Sequence, residues 1–326
     1  MIVAITQLVV GLALLFVGGH YLVRGAVRIA LLARISTAVV GLTVVAMGTS
    51  LPELAVSVSA ALDGVTDLAY ANIVGSSIFN IGVILGIAAL LLPINVERQT
   101  IKIEYPFMLV VAALVVVLCL DRRIGFAEGL LFLVLLVLFT LWVIHLARRR
   151  VFGDEAMELE REVERTASIA AGTTPQWGKN LLWVAGGIAA LVLGADRAVD
   201  GAVHLATSVG VSQRILGLTI VAMGTSLPEL ATSIVAARQG EQEIALGNVI
   251  GSNIFNLLGV LGATAVVVPV PINPRAVTLD NWVMLAFCAG MFPLMLYGRR
   301  KLGRIDGVIL LAGFSVYALY LVLGPG

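Results

Sequence analysis

Apolar residues run along this chain in long blocks separated by short polar clusters. Ten such blocks stand out, at about 3–33, 36–61, 66–92, 101–120, 124–147, 179–207, 212–237, 242–268, 276–298 and 304–323. Each is long enough to cross roughly 30 Å of hydrocarbon at about 1.5 Å per residue. Lipid offers the backbone no hydrogen-bond partners, so each block must satisfy itself, and helices are the expected form. The pattern therefore predicts an all-α integral membrane protein of ten transmembrane helices, numbered 1 to 10 in chain order. Block 3–33 has no basic leader and is too long for a signal sequence, so it is read as a retained helix.

The polar interruptions repeat. Shifted by 176 residues, positions 41–86 align with 217–262 without a gap, and 27 of the 46 positions are identical. The chain is thus an internal duplication with five predicted helices in each half, 1–147 and 179–326. Because five is odd, the second half must start from the opposite face of the membrane, which makes the halves inverted repeats. The 148–178 segment between them carries Glu and Arg in its centre and is read as a solvated linker with a short surface helix.

Composition agrees: 60% of residues are hydrophobic and only 13% charged, against about a quarter charged in a soluble domain. The net charge of +1 gives no reason to expect nucleic acid as a partner. Charge placement is more informative. With the N-terminus outside, the inner loops and helix ends hold Arg34, Arg98, Lys102, Arg148, Arg149, Arg150, Arg161, Arg165, Lys179, Arg238, Arg299, Arg300, Lys301 and Arg304, while the outer ones hold Arg122, Arg123, Arg214 and Arg275. The positive-inside rule then puts both termini outside a cell membrane and the linker in the cytoplasm. Cys119 and Cys288 lie in apolar runs and read as packing residues.

Each half carries "AMGTSLPEL", at 46–54 and 222–230. Ser50 with Glu53, and Ser226 with Glu229, have the spacing of a capping box with Pro just inside a helix start. These starts fall near mid-depth of helices 2 and 7, which are therefore expected to be broken. A carboxylate there costs several kcal/mol unless paired or bound to an ion, and no Lys or Arg lies nearby in either repeat. Two such acids, one per half, point to a cation site. Pro52 is expected to free carbonyls in the preceding turn, notably that of Ala46 and its twin Ala222. Thr49 and Glu53, four apart, are expected to share a face, as are Thr225 and Glu229.

Helices 3 and 8 add polar stripes at i, i+4 and i+8: Asn72, Ser76 and Asn80, and Asn248, Ser252 and Asn256. Asn72 and Asn248 lie nearer the helix ends and read as interhelical hydrogen-bonding residues; the deeper four read as ligands. Small residues such as Gly75, Gly82, Gly86 and Gly251 allow close packing. The resulting set is all oxygen, suited to Ca²⁺ or Na⁺ and unsuited to Zn²⁺ or Cu⁺. Asp196, Arg197 and Asp200, with His20 and Arg24 at the matching place in helix 1, read as local ion pairs or interfacial anchors. His145 and the four Trp near span ends read as belt residues. No catalytic motif is present, and neither an enzyme activity nor a cofactor is expected.

At these residues the sequence resembles the prokaryotic sodium/calcium exchangers of the cation/Ca²⁺ exchanger superfamily. The matching elements are "AMGTSLPE" at 46–53 and 222–229, "ANIVGSSIFN" at 71–80 and "GNVIGSNIFN" at 247–256. The resemblance implies paired repeats meeting at mid-membrane, with helices 1 and 6 sliding across them. It implies Glu53 and Glu229 as the central acidic ligands, and oxygens from Thr49, Thr225, Ser50, Ser226, Ser76, Ser252, Asn80 and Asn256. The carbonyls of Ala46 and Ala222 complete the implied set. Ala71 replaces the more usual Gly. Asn occupies both 80 and 256, where several relatives carry Asp at one, which argues against K⁺ coupling. The expected activity is Na⁺/Ca²⁺ antiport by a chain able to act as a monomer. Proton/Ca²⁺ exchange is the nearest alternative, because a desolvated Glu can take up a proton, and a passive cation channel is a more distant one.

Overall fold

The computed structural model describes residues 1–33, 35–150, 176–208, 222–297 and 300–323. Among them, eight helices are long and apolar enough to cross a membrane. They are Ile2–Ala33, Thr66–Leu91, Thr100–Asp121, Phe126–Ala147, Trp177–Ser208, Gln242–Val267, Ala276–Met295 and Arg304–Leu321. A ninth span results if Thr37–Thr49 and Leu51–Leu62, bent by 42° at Ser50, are counted together. Their limits fall within a few residues of predicted helices 1, 3, 4, 5, 6, 8, 9, 10 and 2. The first part of predicted helix 7, and most of the linker with its Arg161 and Arg165, lie outside the described residues. The second part of helix 7 is Leu227–Arg238, preceded by a turn at Thr225 and Ser226.

Ser50 and Ser226 have nearly the same backbone angles, φ −85° and ψ 11° against φ −90° and ψ 7°. Pro stands two residues further on in each case, within the first turn of the resumed helix. Hydrophobic spacing could not reveal a second kind of irregularity. Several spans contain a π-helical turn, at Gly41–Val45, Asn80–Leu85, Thr100–Glu104, Phe255–Val260 and Ala276–Asp280. Such widened turns insert one residue and recur at functional places in helices.

Two packing units are evident. The larger core joins helices 3, 4 and 5 to helices 8, 9 and 10. Two antiparallel pairs of two-residue strands tie its loops together, Ile94–Asn95 with Lys301–Leu302 and Arg123–Ile124 with Val270–Pro271. Each pair is extended by one backbone bond, Val96 N–H to the Arg300 carbonyl and Ile272 N–H to the Arg122 carbonyl, both 2.8 Å. The two donors are 176 residues apart, the offset of the duplication. Arg122 and Arg300 bend the chain with left-handed backbone, φ 64° and 68°. A side chain there costs on the order of 1 kcal/mol that glycine avoids. Arg300→Gly is therefore expected to raise the thermal unfolding midpoint slightly, by about 0.5–1 kcal/mol of stability; a lower midpoint in detergent would contradict this.

The second unit packs helix 1 against helix 6, together with parts of helices 2, 7 and 8. Gly11 meets Gly194 and Ala198, Gly18 meets Gly187 and Leu191, and Gly25 meets Asn180 and Val184. Gly201 continues the series against Ala4 and Leu8. One number rises as the other falls, so the helices are antiparallel, and glycines seven apart on each let the backbones touch. Helix 2 and helix 8 make a similar close approach, with Gly247 against the Ala38 carbonyl and Gly251 against the Leu42 carbonyl.

Candidate cation site

Glu53 and Glu229 each sit in the first turn of a resumed helix half, and both are fully buried. The bonds that hold them run crosswise between the repeats. Ser50 Oγ donates to Glu229 Oε1 at 2.8 Å, and Ser226 Oγ donates to Glu53 Oε1 at 2.9 Å. Neither Ser caps its own helix through its side chain. The expected capping boxes are thus absent. A buried carboxylate from the other half offers each hydroxyl a charged acceptor, a stronger partner than a neutral backbone group.

The threonines follow the same rule. Thr49 donates to Asn248 Oδ1 at 3.2 Å and Thr225 to Asn72 Oδ1 at 3.1 Å. The break at Ser50 turns Thr49 toward Glu229 and not toward Glu53, and Thr225 lies against Glu53. The shared faces expected for Thr49 with Glu53 and for Thr225 with Glu229 are therefore corrected, because they require an unbroken helix. The Ala46 carbonyl is also engaged: it accepts from the Ser50 N–H at 3.0 Å, with the Thr49 hydroxyl 3.3 Å away. The donor that Pro52 lacks would have reached Gly48, four residues back. In the second repeat the Ser226 N–H turns to Met223, one residue past Ala222.

Asn72 and Asn248 do the structural work expected of them. Asn72 donates to the Glu53 carbonyl at 3.3 Å and to Ser57 Oγ at 3.0 Å. Asn248 donates to the Glu229 carbonyl at 3.4 Å and to Ser233 Oγ at 3.1 Å. Each amide thus clamps the turn that carries a Glu. The sequence reading missed Ser57 and Ser233, although each stands four residues after a Glu and is identical in both repeats.

What remains is a set of buried polar atoms without a hydrogen-bond partner. These include Oε2 of Glu53 and of Glu229, Oγ of Ser76 and of Ser252, and both amide atoms of Asn80 and of Asn256. All six side chains are at most 2% exposed. Stranding so many buried polar atoms costs about 1–3 kcal/mol each. They occur as three equivalent pairs, one member from each repeat. Asn80 opens one π-helical turn and Asn256 lies within another. Six oxygens are available, two of them carboxylate, and a hard cation such as Ca²⁺ takes 6–8 oxygen ligands. Among the described residues no Lys or Arg pairs with either acid, the ion pairs there joining Arg197 to Asp196 and Asp200. Nor does any group of three His, Cys, Asp or Glu side chains converge among the described residues, so neutral oxygens must supply most of any coordination shell.

The remaining candidates stay apart from this cluster. Asp196, Arg197 and Asp200 form an exposed local ion-pair group, with contacts of 3.3 and 3.9 Å. His20 pairs with Gln239 and Arg24 stacks over Trp183. Cys119 and Cys288 are free and buried. Glu104, a fully buried acid that the sequence reading passed over, takes bonds from Gln99 and Thr100 at the start of its own helix.

Comparison with known proteins agrees with this arrangement. The model of the sodium/calcium exchanger protein family matches residues 3–145 and 179–323, one match in each half of the chain. CaxA of Alkalimonas amylolytica is 40% identical over 97% of this chain and 98% of its own. The sodium/calcium exchanger MaX1 of Methanosarcina acetivorans is 32% identical over 96% of this chain and 97% of its own. Among solved structures, the sodium-calcium exchanger NCX_Mj, in crystals soaked without Na⁺ and Ca²⁺, superposes with a TM-score of 0.84 at 29% identity. That match covers 98% of this chain and 99% of the other. The duplicated motifs, the crosswise Ser and Glu bonds and these likenesses converge: the chain is a multi-pass membrane protein that belongs to the sodium/calcium exchanger family.

Proposed function

We propose that this chain is a secondary-active antiporter that uses Na⁺ entry to expel Ca²⁺ across the cell membrane, with both ions competing for the site between Glu53 and Glu229. The observation that carries this reading is the set of paired, buried oxygens without hydrogen-bond partners on Glu53, Glu229, Ser76, Asn80, Ser252 and Asn256, with no ion pair to either acid among the described residues. One oxygen of each Glu is fixed by the Ser of the other repeat, which leaves Oε2 for the ion. Ser76, Asn80, Ser252 and Asn256 supply the neutral ligands, with Thr49, Thr225, Ser50, Ser226 and the carbonyls of Ala46 and Ala222 around them.

The charge balance sets the coupling. Two carboxylates offset one Ca²⁺ or two Na⁺, and a third Na⁺ would leave excess positive charge, so exchange of three for one moves net charge. In the full plan ten helices form two inverted five-helix repeats with helices 2 and 7 broken, both termini outside. The site between related halves opens alternately to each side as helices 1 and 6 slide. The glycine contacts between those two helices support their moving as one body.

The test is purified protein in liposomes, with labelled Ca²⁺ outside and Na⁺ loaded inside or omitted. Uptake that requires the Na⁺ gradient and responds to membrane potential is expected. Uptake driven by a pH gradient alone would reassign the chain to proton/Ca²⁺ exchange, and flux without a counter-ion would make it a channel.

A further inference from the structure

Away from the cation site, three basic side chains gather on one aromatic ring. The guanidinium carbons of Arg24 and Arg28 lie 4.8 and 4.6 Å from the centre of the Trp183 ring, and Lys179 Nζ lies 5.1 Å from it. Tyr21 packs against the same ring at 6.1 Å between centroids. Cations over an indole face are held by its quadrupole, but three positive charges in one place repel one another. None of the three forms an ion pair with an acid among the described residues. Among the described residues the cluster is therefore a positive patch without an acidic partner.

Its depth indicates which anion. Helix 1 has 32 residues, about 48 Å at 1.5 Å per residue, and so exceeds a hydrocarbon core of roughly 30 Å. Arg24 and Arg28 fall in its last third, and Lys179 and Trp183 in the first two turns of the antiparallel helix 6. Arg24 and Lys179 are exposed. Leu182, beside Trp183 in the chain, is 73% exposed, and Val17 and Tyr21, before Arg24 on helix 1, are 45% and 42% exposed. A basic pocket at headgroup level, continuous with bare apolar surface, matches a molecule with an anionic phosphate at one end and acyl chains at the other. Arginines preset on an aromatic platform suit a phosphate's bidentate geometry.

We propose that Arg24, Arg28 and Lys179 on Trp183 form a binding site for the headgroup of an anionic phospholipid, bound across the contact between helices 1 and 6. The lipid phosphate bridges the two helices at one end of their glycine contact. Helix 1 and helix 6 each contribute charge, so neither helix alone makes the site.

The test uses the full chain with Trp142, Trp177 and Trp282 changed to Phe, which leaves Trp183 as the sole indole. It is placed in phosphatidylcholine bilayers with equal amounts of brominated phosphatidylglycerol or brominated phosphatidylcholine. Brominated phosphatidylglycerol is expected to quench Trp183 at about tenfold lower content, and Arg24→Gln with Arg28→Gln to remove that preference. Arg24→Lys with Arg28→Lys, which keeps the charge but not the bidentate fork, retains part of it. Lys179→Gln, on the other helix, weakens it and provides an independent variant should the double change fail to fold. Equal quenching by the two lipids, or an unchanged preference in the Gln variants, overturns the proposal. So does loss of the preference in excess inorganic phosphate, which would mark a free-anion site. A gain when Glu158, Glu160 and Glu162 become Gln would show that the acidic linker occupies the patch instead.

Discussion

Glu53→Gln and Glu229→Gln are each expected to give a folded protein that moves no measurable Ca²⁺. Gln has nearly the shape of Glu and keeps one oxygen, so Ser226 or Ser50 retains an acceptor at the position it now bonds at 2.9 or 2.8 Å. What changes is the fixed charge of the site, which falls from two carboxylates to one. Removing one partner from a buried charge interaction costs about 3–5 kcal/mol, which corresponds to a loss of at least a hundredfold in cation affinity. Labelled Ca²⁺ flux and Ca²⁺ calorimetry would both register it. Thermal stability without ions should hold or rise, since a desolvated carboxylate has been removed. Uptake within a few-fold of the unsubstituted protein would return both acids to a purely structural role.

The second large effect separates two adjacent glycines. A Cβ on Gly187 would stand 2.7 Å from the Leu22 nitrogen and 2.8 Å from the Gly18 oxygen, both backbone atoms of helix 1. Neither can turn aside, so Gly187→Ala must push the helices apart, at a cost of about 1–3 kcal/mol or more. A Cβ on Gly186 meets nothing within 4 Å. Gly186→Ala should instead gain about 0.5–1 kcal/mol, the usual benefit of Ala within a helix. Thermal unfolding of the two variants should therefore shift in opposite directions, and exchange should fall in Gly187→Ala alone. Shifts of the same sign would mean that the close approach of helices 1 and 6 is misplaced.

The spans were legible because lipid makes length and apolarity nearly sufficient: block 66–92 became Thr66–Leu91 and block 242–268 became Gln242–Val267. The site residues were legible because they are polar where polarity is costly, and because the duplication repeats them. Their partnerships were not. Spacing within one helix pairs Thr49 with Glu53, yet the break at Ser50 redirects it to Asn248 of the other half, and no local pattern encodes a neighbour 199 residues away. The π-helical turns escaped for a related reason: one inserted residue leaves composition unchanged and only rotates the rest of the helix. The glycine series at 11, 18 and 25 and at 187, 194 and 201 was in plain view, but it reads as ordinary flexibility until the two helices are seen to touch.

The crosswise bonds also bear on how such a molecule could arise. In repeat-relative terms Ser50 with Glu229 and Ser226 with Glu53 are one contact made twice, the isologous pattern of a twofold dimer. Each half holds the Ser and the Glu but satisfies neither with its own partner. On the proposed inverted plan, a working ancestor before the duplication would be a homodimer whose two identical subunits lay in the membrane in opposite orientations. Fusion into one polypeptide keeps the contact, after which the halves are free to diverge, as Ser77 and Asn253 already have.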